Sequence, residues 1–160
     1  MKVRELMTKE VIALSPEDEV NRAIELFAKH HISGCPVIED SAVVGILSET
    51  DIMKALKAVM QPMRLVYPSL SLVSVAFVEE ETGKEVMAAL KSVASSKVSA
   101  LMRKNVITID PESTIEDAIK LMSRADINRI PVVKDGVLVG IITRFDVIKG
   151  LGGGVGKGLR

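Results

Sequence analysis

Gly45-Ile46-Leu47-Ser48-Glu49-Thr50-Asp51 is written a second time as Gly140-Ile141-Ile142-Thr143-Arg144-Phe145-Asp146, an offset of 95 residues. The match runs outward in both directions without a gap. Val3-Arg4-Glu5-Leu6-Met7 returns as Val98-Ser99-Ala100-Leu101-Met102, and Ser15-Pro16-Glu17 as Asp110-Pro111-Glu112. Between residues 3–56 and 98–151, 21 of the 54 aligned positions are identical, too many for composition bias, so the chain is an internal duplication.

One repeat reads as β–α–β–β–α. Val11–Leu14 and Val106–Ile109 are short apolar runs closed by Ser15-Pro16 and Asp110-Pro111. A serine or aspartate followed by proline predicts a helix start, with the proline at the first helical position. Behind it, Val20, Ala23, Ile24, Phe27 and His31 recur at helical spacing, as do Ile115, Ala118, Ile119, Met122 and Asp126. Pro36–Ile38 and Pro131–Val133 then read as strands. Asp40-Ser41 and Asp135-Gly136 read as tight turns, and Val43–Leu47 and Leu138–Ile142 as returning strands. A second helix starts at Ser48 or Thr143. A single unit of this kind buries too little alone, so two should share a core.

These spacings predict a first repeat over 1–58, an ordered connection over 59–97, a second repeat over 98–151 and a flexible glycine-rich tail over 152–160. Within the connection, Ser69–Val78 alternates toward a strand after a break at Tyr67-Pro68. Glu79–Ala94 reads as a helix with Val86, Met87, Leu90, Val93 and Ala94 on one side.

Composition narrows the function. Lysine plus arginine equals aspartate plus glutamate at 21 each, so no net field favours nucleic acid or an anionic membrane. Four aromatics (Phe27, Tyr67, Phe77, Phe145) are too few for a base-stacking platform. Cys35 is the only cysteine, which excludes an intrachain disulfide. No signal peptide is visible, and apolar stretches such as Val73–Val78 fall short of the roughly 18 residues a span needs. The expectation is a cytoplasmic protein that binds neither nucleic acid nor membrane.

Few residues could carry chemistry. Ser48 and Asp51, like Thr143 and Asp146, have the spacing of a helix cap, hydroxyl first and acid three residues on. The same geometry suits a ligand: an ionised carboxylate only accepts hydrogen bonds, and a ribose diol can donate two. Both readings stand. His30, His31 and Cys35 include zinc-ligand types, but with no other His or Cys they make no closed site, so no metal is expected. The run Gly152-Gly153-Gly154-Val155-Gly156-Lys157-Gly158 fails as a phosphate loop. It has Leu151 where a glycine is needed and Gly158 where a hydroxyl should hold magnesium. No nucleophile–base set can be assembled, so the chain is not expected to be an enzyme.

Gly34-Cys35-Pro36-Val37 before the hairpin, and the Gly45 and Gly140 motifs after it, resemble the cystathionine-β-synthase (CBS) domain. Two in tandem resemble a Bateman module. The resemblance covers both repeats; it departs at Arg129, which stands where Gly34 does. It implies an α/β (α+β) fold of two β–α–β–β–α repeats packed about a pseudo-two-fold axis, with two clefts. It further implies a stand-alone sensor of adenosine-containing ligands (AMP, ADP, ATP or S-adenosylmethionine), with no required cofactor. Homodimers and a regulated enzyme or transporter follow from the same resemblance. An interaction module with empty clefts is the alternative. The site residues it implies are Ile12, Gly34, Cys35, Pro36, Ser48 and Asp51 in the first repeat. In the second they are Ile107, Asn128, Arg129, Ile130, Pro131, Thr143 and Asp146. Arginine can grip phosphate bidentately where glycine cannot, so phosphate affinity is expected to rest mainly on Arg129.

Overall fold

Asp40, Ser41, Asp135 and Gly136 take φ of 49°, 68°, 50° and 80°. Positive φ at both central positions is what a two-residue hairpin turn requires. In the computed structural model, which describes residues 1–64 and 75–155, these turns join β1 (Gly34–Glu39) to β2 (Ala42–Ser48) and β3 (Arg129–Lys134) to β4 (Val137–Thr143). Each hairpin is its own two-stranded sheet. β3 and β4 run antiparallel from Arg129 opposite Thr143 to Lys134 opposite Val137, with a bulge between Val132 and Val133. The helices are α1 (Val3–Leu6), α2 (Val20–His30), α3 (Glu49–Arg64), α4 (Val75–Ser95), α5 (Val98–Leu101), α6 (Ile115–Ala125) and α7 (Arg144–Val155). The fold is α+β.

The first strand of each repeat shrinks to a single parallel bridge, Leu14 with Val37 and Ile109 with Val132. The reason lies one residue on: the chain turns at Ser15-Pro16 and Asp110-Pro111, and proline has no N–H to extend a ladder. Those prolines do not open the helices either. Asp18 N donates to Ser15 O at 3.1 Å and Ser113 N to Asp110 O at 3.1 Å, which makes them turns. The helices begin later, after Glu19 and Thr114. His31 and Asp126 leave the apolar stripe to end α2 and α6 in the left-handed conformation, at φ 51° and 49°.

α4 starts at Val75, so residues 75–78, where alternation predicts the end of a strand, are helical; Tyr67-Pro68 and the rest of that strand lie outside the described residues. On α4 the buried face is Ala89 and Val93, and Met87 and Leu90 are exposed. α7 continues through Gly152–Gly154 to Val155, so residues 152–155 of the expected flexible tail are helical, and residues 156–160 lie outside the described residues. Gly150 leaves room for Leu6: an added Cβ would lie 2.6 Å from Leu6 Cδ2.

The chain forms two compact units. One is Met1–Ala13 with Ile38–Val44 and Asn105–Arg160; the other is Leu14–Val37 with Gly45–Lys104. Leading segments are thus exchanged: α1 belongs with the second repeat and α5 with the first. Val3 N donates to Ser113 O (2.9 Å), Arg4 N to Pro111 O (3.1 Å) and Ile115 N to Met1 O (3.2 Å). Their counterparts are Val98 N to Asp18 O (2.8 Å), Ser99 N to Pro16 O (3.0 Å) and Val20 N to Ser96 O (2.9 Å). In both cases a carbonyl from the incoming segment satisfies the first amide of α6 or α2, a donor that a helix cannot satisfy itself.

Val3, Ile109, Ile115, Ala118, Met122, Ile130, Val132, Ile142 and Val147 form the buried core of the first unit. At the equivalent positions Val98, Leu14, Val20, Ala23, Phe27, Cys35, Val37, Leu47 and Ile52 are buried as well. The duplication therefore holds at the level of burial.

Candidate functional site

In the second repeat, Asn128 O accepts from Arg144 N at 2.9 Å, which ties the loop before β3 to the first turn of α7. Beside it Arg129 lies opposite Thr143 in the strand register. Thr143 donates to Asp146 Oδ2 from both N (2.8 Å) and Oγ1 (2.7 Å), and Asp146 N donates back to Thr143 Oγ1 at 3.2 Å. This is the reciprocal cap that the spacing predicts. It uses only one carboxylate oxygen, so the cap and a ligand contact are compatible at the same residue. Asn128, Arg129, Thr143 and Asp146 are brought together, all at least partly exposed.

The first repeat repeats the geometry. Glu49 N donates to Ser33 O at 2.9 Å, and Ser48 donates to Asp51 Oδ2 from N (2.9 Å) and Oγ (2.7 Å). Here the environment is tighter: Ser48 is 7% exposed and Asp51 9%. Arg103 Nε stands 3.4 Å from the remaining oxygen, Asp51 Oδ1. The repeat offset places Thr8 at the position equivalent to Arg103. Each forms an antiparallel bridge with β4 or β2, Thr8 with Ile141 and Arg103 with Ile46. Beside Asp146 the equivalent residue, Thr8, carries no charge.

Other predicted positions fall differently. Cys35, Pro36, Ile130 and Pro131 are fully buried, so their side chains build the core and offer no surface to a ligand. Their carbonyls are partly committed too, since Pro36 O accepts from Leu14 N and Pro131 O from Ile109 N. Gly34 is buried at the start of β1, and positive φ among the described glycines is confined to Gly136, so no left-handed backbone conformation requires glycine there. Ile12 is half-buried, and Ile107 is exposed two residues before the Ile109 bridge. Ile12 belongs to the unit of the second repeat, apart from the other first-repeat candidates.

The glycine of the motif has a packing role. A Cβ on Gly140 would lie 2.5 Å from Met7 Sδ and 3.1 Å from Thr8 O; one on Gly45 would lie 2.9 Å from Met102 Cγ and 3.2 Å from Arg103 O. Gly45 and Gly140 thus let the exchanged segments reach the site. Sequence reasoning missed Arg103, although aligning Met7-Thr8 with Met102-Arg103 was signal enough to mark it as a difference.

Among the described residues no group of three or more His, Cys, Asp or Glu side chains is placed to hold a metal. No described helix is long and apolar enough to cross a membrane.

Against known proteins, a family model for the CBS domain matches residues 3–58 and 98–153. MJ1426, an uncharacterised protein of Methanocaldococcus jannaschii, is 38% identical over 154 residues, covering 94% of this chain and 91% of that protein. The chain spans less than half the length of several other curated relatives that it matches. The crystal structure of CBSX2 in complex with AMP superposes with a TM-score of 0.68 at 25% identity, covering 94% of this chain and 95% of that one. The CBS domain pair of MJ0100, in complex with 5′-methylthioadenosine and S-adenosylmethionine, shares the fold with a TM-score of 0.69 at 22% identity, covering 96% and 98%.

Proposed function

The chain belongs to the CBS-domain family as a tandem pair, and on that premise we propose that it is a regulatory module that binds an adenosine nucleotide, AMP foremost. The observation that carries this reading is the pair of capping carboxylates. Asp146 sits at the start of α7 with one oxygen committed to Thr143, which leaves the other outside the cap. A ribose diol needs such an acceptor. The start of a helix also presents amides and a favourable dipole to an anion. Arg129, across the strand pair from Thr143, is a cation suited to phosphate. AMP is the ligand of CBSX2, the relative of similar length described above. Signalling would work by population: the ligand shifts the module toward the conformer it binds better, by no more than its differential affinity. Such a module would act in the cytoplasm, on an enzyme or transporter, without turning over its ligand.

A second reading, a dimerisation or interaction module with no nucleotide, draws on the outward apolar residues of α7. Phe145 and Ile148 are 72% and 67% exposed, and apolar surface of that kind marks contact sites when contiguous.

The test is the thermal-unfolding midpoint of nucleotide-free protein with adenosine, AMP, ADP, ATP, GTP, NADH and S-adenosylmethionine. A ligand at 100 times its Kd adds about 2.7 kcal/mol to the folded state. The expected rise is confined to adenosine compounds. Arg129→Ala should weaken AMP far more than adenosine; equal losses would remove the phosphate role. A flat response across the panel, with a stable dimer in solution, would favour the second reading. Absorbance at 260 nm checks that no nucleotide is carried over.

A further inference from the structure

Asp51 and Asp146 occupy the same cap but keep different company. The exchanged segment beside each is held to the strand by the same two backbone bonds. Thr8 N donates to Ile141 O and Ile141 N to Thr8 O, both at 2.9 Å; Ile46 N donates to Arg103 O at 3.0 Å and Arg103 N to Ile46 O at 2.9 Å. The backbone therefore delivers position 8 to one carboxylate's neighbourhood and position 103 to the other's in the same way. Only the side chains differ. Threonine is short and uncharged; arginine reaches Asp51 Oδ1 at 3.4 Å.

Asp51 already gives Oδ2 to Ser48, so the guanidinium faces the one oxygen left. Its side chain is 8% exposed, so solvent does little to screen that attraction on the carboxylate's side. A ribose diol can reach Asp51 only by displacing the cation. Beside Asp146 the position that corresponds to Arg103 holds Thr8, which brings no cation. The strand position that carries Arg129 in the second repeat carries Gly34 in the first, so a phosphate also finds its cation at that position in the second repeat.

We propose that Arg103 closes the first repeat's site to ribose, so that each chain takes up one nucleotide, at Asp146 in the second repeat. Arg103 is then the residue that determines which repeat binds. The inference rests on the nucleotide reading above and adds the site and the stoichiometry.

Calorimetric titration of the nucleotide-free chain with AMP tests it. The expected result is one AMP per chain, with Asp146→Asn weakening it more than about tenfold. Arg103→Thr, which copies Thr8, should raise the stoichiometry to two, and adding Asp51→Asn to that variant should return it to one. Two AMP per chain in the unaltered protein would overturn the proposal. So would a site that survives Asp146→Asn, or loss of binding in Arg103→Thr, which would make the guanidinium a ligand contact. Unfolding midpoints without ligand show that the variants remain folded. No AMP uptake by either the unaltered protein or Arg103→Thr would instead overturn the nucleotide reading itself.

Discussion

Asp51 and Asp146 each hold the first turn of a helix, and their different surroundings should separate them in stability before any ligand is added. Asp51→Ala removes a buried acceptor from Ser48 N and Oγ and takes away the partner of Arg103. Leaving a buried donor unsatisfied costs about 1–3 kcal/mol. Loss of the ion pair adds less than this, because the freed Arg103 is half exposed and regains water. Asp146→Ala acts at a partly exposed cap and should cost about 1 kcal/mol. Urea unfolding of the two variants checks the order, and equal losses would mean that burial at Asp51 contributes nothing. The motif around these acids was legible in the sequence because a cap is a local device, read from a hydroxyl and an acid three residues apart. Its glycine was legible only as a symbol; the reason for it, the approach of Met7 or Met102, comes from the far end of a repeat. Aligning the repeats marks Arg103 as a difference from Thr8, but its partner was illegible for the same reason, since no local spacing relates it to Asp51.

At the scale of elements, the short helices α1 and α5 are docked by matched ion pairs, and these should make their docking sensitive to pH. Lys2, with Arg4, pairs with Glu112, and Lys97 pairs with Glu17 at 2.8 Å. The hydrogen bond from Lys2 holds the Glu112 carboxyl below its ordinary 4.5, and the hydroxyl of Thr114 holds Asp117 below 3.8 at the start of α6. A lowered carboxyl contributes stability above its unfolded value and loses it as pH falls through the folded one. The docking of α1 and the cap of α6 should therefore weaken in acid, below about pH 4.5. The hydrogen bond to Glu17 raises Lys97 above 10.5. Its contribution is lost as pH rises through the folded value, so the raised lysine predicts a loosening of α5 above about pH 10.5. Cα chemical shifts of Val3–Leu6 followed into acid and of Val98–Leu101 followed into alkali would show each loss; shifts that stay flat over those ranges would refute the assignment. All the groups are exposed, so the effects should be small. The hairpins and the stripes of α2 and α6 were legible from turn chemistry and periodicity, which are local. The leading strands were not, because an apolar run of four residues carries no mark of how many ladder bonds it will find.

For the whole molecule, duplication hides the decisive fact from any reading of sequence. Val3 and Val98 occupy equivalent positions, and the sites that could receive them are equally equivalent, so nothing chemical says which repeat each should enter. The fold pairs Val3 with the core of the second repeat, and α5 with the unit of the first. Each unit is thereby completed by the segment that leads the other repeat, which makes the two interdependent. Separate fragments 1–64 and 75–160 test this consequence. The first would lack α5, α4 and the Ser96 carbonyl that receives Val20 N; the second would lack Val3 and the Met1 carbonyl that receives Ile115 N. Neither fragment alone should show a cooperative urea transition by circular dichroism, because each leaves core positions open and helix amides unsatisfied. Mixed at equal concentration, they should recover the transition and a midpoint that rises with concentration, since their association is then part of folding. A fragment 1–64 that unfolds cooperatively by itself would show that the first repeat needs nothing from the rest. The exchange would then be an accident of connectivity, not the means by which two small repeats become one stable protein.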